Sequence, residues 1–358
     1  MRRNRTWILA ALGMLVLILD TKTGIIGAGE AISYCLLTVI PSLFPFFMLS
    51  ILLTSSLSGS SSKFLLPISR LLRIPKGSES LFLIGLLGGY PTGAQVIADQ
   101  YQHGTLTKQQ AKRMMGFCSN AGPAFLFGMI GPCFQNPIVP WVLWGIHIFS
   151  AILTGVLLPG GTRTQIIPRE NKSTSINAAF NRSLRIMANV CGWIVLFRAI
   201  IAFMQRWIFW IFPETVQYGI IGVLELANGC SFLPQIKSES IRFILCSGIL
   251  SFGGLCVAMQ TASVAAPVGM GMYLPGKCLQ TLVSLWLASL AQIFLYQSNY
   301  TLFLCISLPI GLIFALNLKK RIAFRKNMVY NKAKPSQEAP VCCLEREFKS
   351  PAHIAPMP

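Results

Sequence analysis

Charged residues are scarce in this sequence, and acidic residues are the scarcest of them. Lys, Arg, Asp and Glu make up 11% of the 358 residues, and only 11 residues are Asp or Glu. A soluble domain carries about a quarter charged residues. With 53% hydrophobic residues and a mean hydropathy of +0.61, the composition excludes an ordinary water-soluble protein.

Histidine is also scarce, and the cysteines lack the spacing of a metal site. The sequence has 3 His, and its 11 Cys include no CxxC pair, whereas zinc and iron–sulfur sites need ligands at short, regular spacings. No P-loop, GxSxG or HExxH motif occurs in a fitting context. We therefore expect no metal, no cofactor and no enzymatic activity.

Long apolar runs account for most of the chain. Runs of roughly 20 residues are typical of transmembrane helices, and examples are residues 36–53, 116–130, 139–158 and 302–316. A further run follows the basic start MRRNR without a small-residue cleavage site, which predicts an uncleaved first span. The predicted fold class is an all-α polytopic membrane protein.

The excess of basic residues indicates membrane topology rather than a nucleic-acid partner. The net charge is +19, but Lys and Arg cluster in the loops between apolar runs and do not alternate with aromatic residues. Under the positive-inside rule, these clusters place both termini and the basic loops in the cytoplasm. We expect a multi-pass protein of the cell membrane, with membrane lipids as partners and no nucleic acid.

Two apolar segments fit this topology only as re-entrant hairpins. Residues 81–98 lie between two basic loops and must leave the membrane on the side where they enter, and residues 217–236 are broken by Asn228-Gly229 and Pro234. The first hairpin is predicted to open to the cytoplasm and the second to the outside. Together with the other runs, this predicts about eight transmembrane helices plus two re-entrant hairpins.

The order of span, hairpin, span, span occurs twice, with weak similarity between the halves. Residues 84–93 (IGLLGGYPTG) resemble residues 221–229 (IGVLELANG), and 119–122 (SNAG) resemble 251–254 (SFGG). Because each unit has an odd number of crossings, we expect an inverted repeat, as in many secondary transporters. The predicted boundaries are 1–35 (first span and interfacial helix), 36–158 (first repeat), 159–185 (basic cytoplasmic loop), 186–297 (second repeat), 298–318 (last span) and 319–358 (basic disordered tail).

One acidic residue, Glu225, lies inside an apolar hairpin. An acid in mid-membrane costs about 2.5–3.5 kcal/mol on insertion scales, so it usually has a partner and a function. Glu225 is predicted to coordinate a cation, relay a proton or bind substrate, and the alternative is a structural Glu bonded to the amides of its hairpin. Arg198, in mid-span, is predicted to bind an anionic substrate or to pair with Glu225. The alternative is that its side chain extends to the membrane–water interface. His147 is interpreted as a buried histidine with satisfied hydrogen bonds rather than a proton relay.

Polar and flexible residues cluster at the proposed midplane. The segments GGYPTG and CSNAGP interrupt apolar runs in the first half, and the second half has counterparts at 251–260. Interrupted backbone at this depth is tolerated only where it is buried in protein or lines a wet cavity. The predicted substrate-binding residues are Gly89, Tyr90, Thr92, Gln95, Ser119, Asn120, Arg198, Glu225, Asn228, Ser251 and Gln260. The predicted hinges or hairpin tips are Gly88, Pro91, Gly93, Gly122, Pro123, Gly229, Gly253 and Gly254.

These motifs resemble the sporulation integral membrane protein family of endospore-forming Firmicutes. The GYPTGA and CSNAGP blocks carry the resemblance, and VIPSLFPFFML, NVCGWIVLF, LELANG and SFGG extend it more loosely over residues 5–320. That family belongs to the nucleoside-recognition, or Gate, group, which includes concentrative nucleoside carriers and the membrane part of ferrous-iron transporters. The resemblance implies two Gate domains and a location in a sporulation membrane.

The resemblance favours a transporter of a small polar solute, and a dipicolinic acid-like anion is the solute it suggests. A planar dianionic pyridine suits Arg198 and the hairpin amides, although Arg198 stands where the family pattern leads us to expect a small or neutral residue. Two alternatives stay open: a scaffold for spore-envelope assembly that moves no solute, and a nucleoside or ion transporter of the Gate group. Association with a second copy or with other sporulation membrane proteins also stays open.

Overall fold

The described part of the chain is entirely helical in its regular structure. The computed structural model describes residues 3–57, 65–160 and 175–296, together with residue 307. The predicted tail, nearly all of the last predicted span and most of the basic loop lie outside the described residues. Within the described ranges the chain forms helices and no strand. The predicted all-α fold is confirmed.

Five described helices are long and apolar enough to cross a membrane. They are Thr21–Leu53, Val139–Leu157, Ile176–Trp207, Glu239–Val264 and Tyr273–Tyr296, and Ala10–Leu19 is a shorter apolar helix. Their outward faces carry large apolar side chains, among them Leu37 and Phe294, which are 80% and 79% exposed. Extended apolar surface of this kind is stable against lipid and not against water. The chain is an integral membrane protein.

Both halves of the chain combine long helices with short, interrupted ones. The first half contains α1 (Arg3–Leu19), α2 (Thr21–Tyr34), α3 (Ile40–Leu57), α4 (Leu66–Leu72), α5 (Ser80–Gly88), α6 (Thr92–Gln102), α7 (Lys108–Cys118), α8 (Pro123–Phe125) and α9 (Val139–Leu157). The second half contains α10 (Ile176–Trp207), α11 (Glu214–Leu224), α12 (Leu226–Ser231), α13 (Glu239–Phe252), α14 (Gly254–Val264) and α15 (Tyr273–Tyr296). In each half a long helix (α3, α10) precedes a helix pair (α5–α6, α11–α12), an interrupted helix (α7–α8, α13–α14) and another long helix (α9, α15).

Helices α2 and α3 form one continuous helix, whereas the sequence predicted a separate interfacial helix at 24–35. A π-helical turn at Cys35–Val39 joins the two without a break. Gly27 brings the backbone of α2 close to α10, because a Cβ built at Gly27 would lie 2.7 Å from the Cβ of Ala202. This close packing against α10 holds the segment in the helical bundle.

Helix interruptions are present at the predicted Gly-rich and polar motifs. Gly89 separates α5 from α6 and Gly253 separates α13 from α14, with φ angles of 70° and 80°. Glycine adopts such angles without the steric cost that a side chain adds. The extended backbone of Glu225 separates α11 from α12. Gly89, Gly122 and Gly253 therefore interrupt helices as expected. The break expected at Asn228-Gly229 lies instead at Glu225, because Glu225 caps α12 and both Asn228 and Gly229 are helical. Gly88 and Gly93 are also helical, at the end of α5 and the start of α6.

Two helix starts are fixed by capping side chains. The sequence Thr107-Lys108-Gln109-Gln110 has the S/T-x-x-Q pattern that predicts a capping box at a helix start. The structure confirms it, because Thr107 accepts from the backbone of Gln110 and the Gln110 side chain accepts from the backbone of Thr107. Ser175 accepts from the amide of Ala178 at 3.2 Å and caps α10. Because of this cap, α10 begins at Ile176, inside the predicted basic loop, and not at 186.

Candidate functional site

The helix interruptions of both halves surround one cavity, which we call the central cavity. Its lining includes Gly88, Gly89, Tyr90, Gly122, Glu225 and Gln260. Its empty volume is about 580 Å³, including the part that opens to solvent. The aromatic side chains of Phe46, Phe47 and Phe125 contribute to the rest of its lining. Residues from distant parts of the sequence, predicted to form one site, are brought together here.

In each half, the break of the helix pair lies directly against the break of the interrupted helix. A Cβ built at Gly89 would lie 2.9 Å from the amide nitrogen of Gly122. In the second half, a Cβ at Gly254 would lie 3.1 Å from the amide nitrogen of Leu226. The backbones are too close for a side chain to fit between them, which explains the glycines at these positions.

Glycines also close each helix pair. A Cβ at Gly93 of α6 would lie 3.0 Å from the Cα of Gly85 of α5, and a Cβ at Gly229 of α12 would lie 2.3 Å from the Cα of Gly222 of α11. Positions seven or eight residues apart in a continuous helix are separated by about 10–12 Å. Each pair therefore folds back on itself at its break.

Glu225 is 2% exposed and caps the start of α12. Its Oε1 accepts from the amide of Ala227 at 3.0 Å, and its Oε2 accepts from the amide of Asn228 at 2.6 Å and from the Asn228 Nδ2 at 2.7 Å. Hydrogen bonds to a carboxylate are stronger than those between neutral groups. These are the hydrogen bonds expected if Glu225 is a structural residue bonded to the amides of its hairpin. Glu225 also lines the central cavity.

A fully buried lysine forms a hydrogen bond with Tyr90, at the tip of the first helix pair. Lys277 of α15 is 0% exposed, and its Nζ donates to the Tyr90 hydroxyl at 3.0 Å and to Oε1 of Gln280 at 2.6 Å. Gln280 Nε2 donates to Oδ1 of Asn120 at 2.9 Å. The network connects α15 with the breaks of the first helix pair and of the first interrupted helix.

Lys277 was not among the residues predicted from the sequence. The signal for it is its position as the one basic residue in GMYLPGKCLQTLVSLW, within a span predicted at 271–297. Ionisable residues inside a span are rare and usually functional. The reasoning that selected Glu225 applies equally to Lys277.

His147 connects the interruptions of the two halves. Its Nε2 accepts from the amide of Ala121 at 3.1 Å, and its Nδ1 lies 3.3 Å from the hydroxyl of Ser251. Because an amide only donates, Nε2 carries no proton, and Nδ1 of the neutral ring donates to Ser251. The interpretation of His147 as a buried, satisfied histidine is confirmed. Ser251 is thus engaged with His147 rather than with the central cavity.

Other predicted residues of the interruptions are buried, and of these Thr92 and Ser119 do not line the central cavity. Thr92 and Ser119 are 1% and 0% exposed, and their hydroxyls have no hydrogen-bond partner within the described part of the chain. Pro123 begins α8, where its missing amide hydrogen is not needed. Gln260 is 3% exposed, and its Nε2 lies 3.3 Å from the sulfur of Cys256.

A second and wider cavity, which we call the basic vestibule, is lined by other residues of the first helix pair. Its lining includes Pro91, Gln95, Asp99, Arg182, Arg185, Asn189 and Ser263, and its empty volume is about 1040 Å³ including open solvent. Arg182 forms an ion pair with Asp99. It also lies 3.1 Å from the side-chain amide of Gln95, whose oxygen accepts from Arg182 when the amide is turned to face it. Gln95 and Pro91, predicted to lie with Glu225, face this vestibule instead of the central cavity.

Arg198 lines neither of these cavities. It donates to Glu30 at 2.5 Å and to Gln205 at 3.2 Å, and its guanidinium lies 5.7 Å from the ring centroid of Phe232. Glu30 lies within the continuous helix Thr21–Leu53, and its carboxylate pairs with Arg198 of α10. The partner of Arg198 is therefore Glu30, and neither the predicted pairing with Glu225 nor a place beside the central cavity is found.

Comparison with known proteins supports the motif analysis. The chain is 23% identical over 271 residues to the sporulation integral membrane protein YlbJ of Bacillus subtilis (strain 168). The predicted resemblance to the sporulation integral membrane proteins is confirmed. The match covers 63% of this chain and 66% of the relative. No protein-family model matches the chain, and no solved structure matches it.

Proposed function

We propose that this protein is a secondary transporter that moves a small polar solute across a sporulation membrane. The alignment of the two cavities is the observation that carries the proposal. Along α10, Asn189 lines the basic vestibule and the next residue, Val190, lines the central cavity; along α14, Ser263 lines the vestibule and Gln260 the central cavity. The two cavities therefore adjoin the same stretches of α10 and α14, which supports their being two sections of one solute pathway.

The tip of the first helix pair stands between the two cavities. Tyr90 lines the central cavity and the next residue, Pro91, lines the basic vestibule. In alternating access, a solute site is closed toward one side at a time by a moving element. We assign this arrangement to the state closed toward the vestibule, with the tip as the element that moves.

We interpret α5–α6 and α11–α12 as the two re-entrant hairpins and the halves as inverted Gate domains. These helices have 9, 11, 11 and 6 residues, and at 1.5 Å per residue each is too short to cross a hydrocarbon core of about 30 Å. Both pairs fold back at their breaks, and both breaks line the central cavity. On this interpretation the basic vestibule faces the cytoplasm.

The central cavity suits a small solute with an aromatic part. Phe47 and Phe125 supply apolar lining, and Gln260 and the free backbone groups of the breaks supply hydrogen bonds, the usual composition of a ligand pocket. The motif resemblance adds a dipicolinic acid-like anion as the favoured solute, and the name of the similar protein adds sporulation as the setting.

Reconstitution tests this function directly. Purified protein in liposomes is expected to take up labelled dipicolinate, with and without ion gradients, above the level of protein-free liposomes. Gln260→Leu is expected to reduce uptake, whereas Gln109→Leu on the exposed start of α7 leaves it unchanged. Uptake of nucleosides alone would favour the nucleoside alternative. Absence of any solute movement under all gradients would contradict transport and favour the scaffold.

A further inference from the structure

Lys277 is a fully buried basic residue that has no acidic partner in the described part of the chain. The ion pairs of that part are Arg182–Asp99, Arg198–Glu30, Arg206–Asp20 and Arg242–Glu239, and none includes Lys277. The partners of its Nζ are the Tyr90 hydroxyl and the Gln280 side-chain oxygen, so two of its three N–H donors are used. Burying a charge is costly unless it is paired and fully hydrogen-bonded.

Lys277 reaches neither water nor lipid headgroups, since its side chain is fully buried where α15 packs tightly against α7. A Cβ built at the preceding residue, Gly276, would lie 2.2 Å from the carbonyl oxygen of Gly116, so α15 and α7 are in direct backbone contact. A lysine near a helix end normally extends toward the interface. Here the side chain stays inside the protein.

Tyr90 stands between this ammonium and the central cavity. The Tyr90 hydroxyl accepts a hydrogen bond from Lys277, and the Tyr90 ring centroid lies 5.0 Å from the Lys277 Nζ. Tyr90 also lines the central cavity. Lys277 itself does not line the cavity. A change in the position of one aromatic ring is therefore enough to expose a positive charge to the bound solute.

We propose that Lys277 is the residue that selects an anionic solute, with Tyr90 as the group that occupies it when the cavity is empty. A carboxylate of the solute displaces the Tyr90 hydroxyl from Nζ and supplies the missing counter-charge. The displaced Tyr90 then releases the tip of the first helix pair from α15. This inference rests on the proposed transport function and adds to it a specificity-determining residue and the step that couples solute binding to movement of the tip.

The competing explanation is that Lys277 only clamps the tip in place. Two substitutions separate these explanations because Lys277→Gln and Tyr90→Phe break the same hydrogen bond. If Lys277 is only a clamp, the two variants behave alike. If Lys277 binds the anion, Lys277→Gln loses its affinity for the anion, whereas Tyr90→Phe keeps that affinity or increases it because the competing hydroxyl is gone.

The experiment measures the inhibition of dipicolinate uptake in proteoliposomes by two probes of the same shape. These are unlabelled dipicolinate, which is a dicarboxylate, and pyridine-2,6-dicarboxamide, which is neutral. Lys277→Gln is expected to weaken dicarboxylate binding about 10- to 100-fold, the range for loss of a hydrogen-bonded charge, with little change for the diamide. Lys277→Arg keeps the charge and is expected to recover part of the affinity.

Each result decides one question. Equal loss of affinity for both probes in Lys277→Gln, or equal behaviour of Lys277→Gln and Tyr90→Phe, overturns the selective role of Lys277. If Lys277→Gln does not fold, Tyr90→Phe alone still tests the proposal. The selective role of Lys277 is overturned if Tyr90→Phe loses as much affinity for the dicarboxylate as for the diamide. If the unmodified protein moves no solute at all, the transport proposal fails first, and the two failures are thereby distinguished.

Discussion

Gly253 lies against the ring of Tyr90, although 163 positions separate them in the sequence. A Cβ built at Gly253 would come within 3.1 Å of both Cζ and the hydroxyl oxygen of Tyr90. The break between α13 and α14 in the second half therefore supports the tip of the first helix pair. Because the Tyr90 hydroxyl also bonds Lys277, any shift of the ring changes that hydrogen bond.

Gly253→Ala is expected to reduce both stability and transport. The residue has a φ angle of 80°, where a side chain costs roughly 1–2 kcal/mol. The added methyl group also pushes the Tyr90 ring by a few tenths of an ångström, which adds about 1–3 kcal/mol of overpacking. The measurements are the thermal unfolding midpoint in detergent and the uptake rate in proteoliposomes.

Gly104→Ala is the matched control for this substitution. Gly104 has a φ angle of 75° and nothing within 4 Å of its ideal Cβ position. It therefore carries the same backbone cost without contact to Tyr90. If Gly104→Ala and Gly253→Ala lower the unfolding midpoint equally and both preserve uptake, the contact with Tyr90 has no role.

Glu225→Gln is expected to stop solute movement while the protein still reaches the membrane. In the native protein the amide and the Nδ2 of Asn228 donate to Oε2 of Glu225. An NH₂ group at that position cannot accept these hydrogen bonds. Leaving buried donors unsatisfied costs about 1–3 kcal/mol. The measurements are the amount of protein in the membrane fraction, the unfolding midpoint and the uptake rate.

Glu225→Ser separates the capping role of Glu225 from its charge. Serine is a good N-cap residue, so it is expected to restore the start of α12 and most of the unfolding midpoint. It brings no charge to the central cavity, and uptake is expected to stay low. Normal uptake by Glu225→Ser would show that Glu225 is needed only as a cap.

The helix interruptions at Gly89 and Gly253 could be predicted because their cause is local. Glycine and proline destabilise a helix but do not always end it, since Pro45 and Gly229 lie inside helices. Glu225 is visible in the sequence as a carboxylate in an apolar run. The capping pair Thr107 and Gln110 is local in the same way. These features need no knowledge of which helices are neighbours.

The partners of long side chains could not be predicted because they depend on three-dimensional neighbours. Arg198 is 168 positions from Glu30 and Lys277 is 187 positions from Tyr90, and no pattern in the sequence pairs them. Gln95 lies only five positions after Tyr90, yet the fold places it in the basic vestibule. Short sequence distance from the hairpin tip was therefore a poor guide to which cavity a side chain faces.

The charges of the basic vestibule are expected to change the apparent affinity for an anionic solute in opposite directions. Asp99→Asn removes a negative charge from the lining and Arg185→Gln removes a positive one. A unit charge about 8 Å from a dianion contributes about 1 kcal/mol in water. The KM for dipicolinate is therefore expected to fall about fivefold for Asp99→Asn and to rise about fivefold for Arg185→Gln. The unfolding midpoint changes little, because the Asp99–Arg182 pair, with side chains 32% and 36% exposed, contributes at most about 1 kcal/mol.

Salt provides the control for this prediction. The screening length is about 30 Å at 0.01 M salt and about 3 Å at 1 M, so both effects are expected at the low concentration and neither at the high one. A KM difference that persists at 1 M salt would mean that these residues act through local structure. No difference at either concentration would mean that the solute does not enter through the vestibule or carries no charge.

Arg198 is expected to stabilise the fold without contributing to solute affinity. Its side chain is 14% exposed and that of Glu30 is 51% exposed, and Glu30 lies on a helix that is long and apolar enough to cross a membrane. Arg198→Gln leaves Glu30 as an unpaired acid beside lipid, at a cost of about 2.5–3.5 kcal/mol if it stays charged.

The double variant Glu30→Gln with Arg198→Gln removes both charges, and it is expected to recover most of the lost stability because a neutral pair needs no counter-charge. Unfolding midpoints of the two single variants and the double variant measure this coupling. Inhibition of uptake by unlabelled dipicolinate measures affinity, and a loss of affinity that persists in the stable double variant would return Arg198 to the solute site.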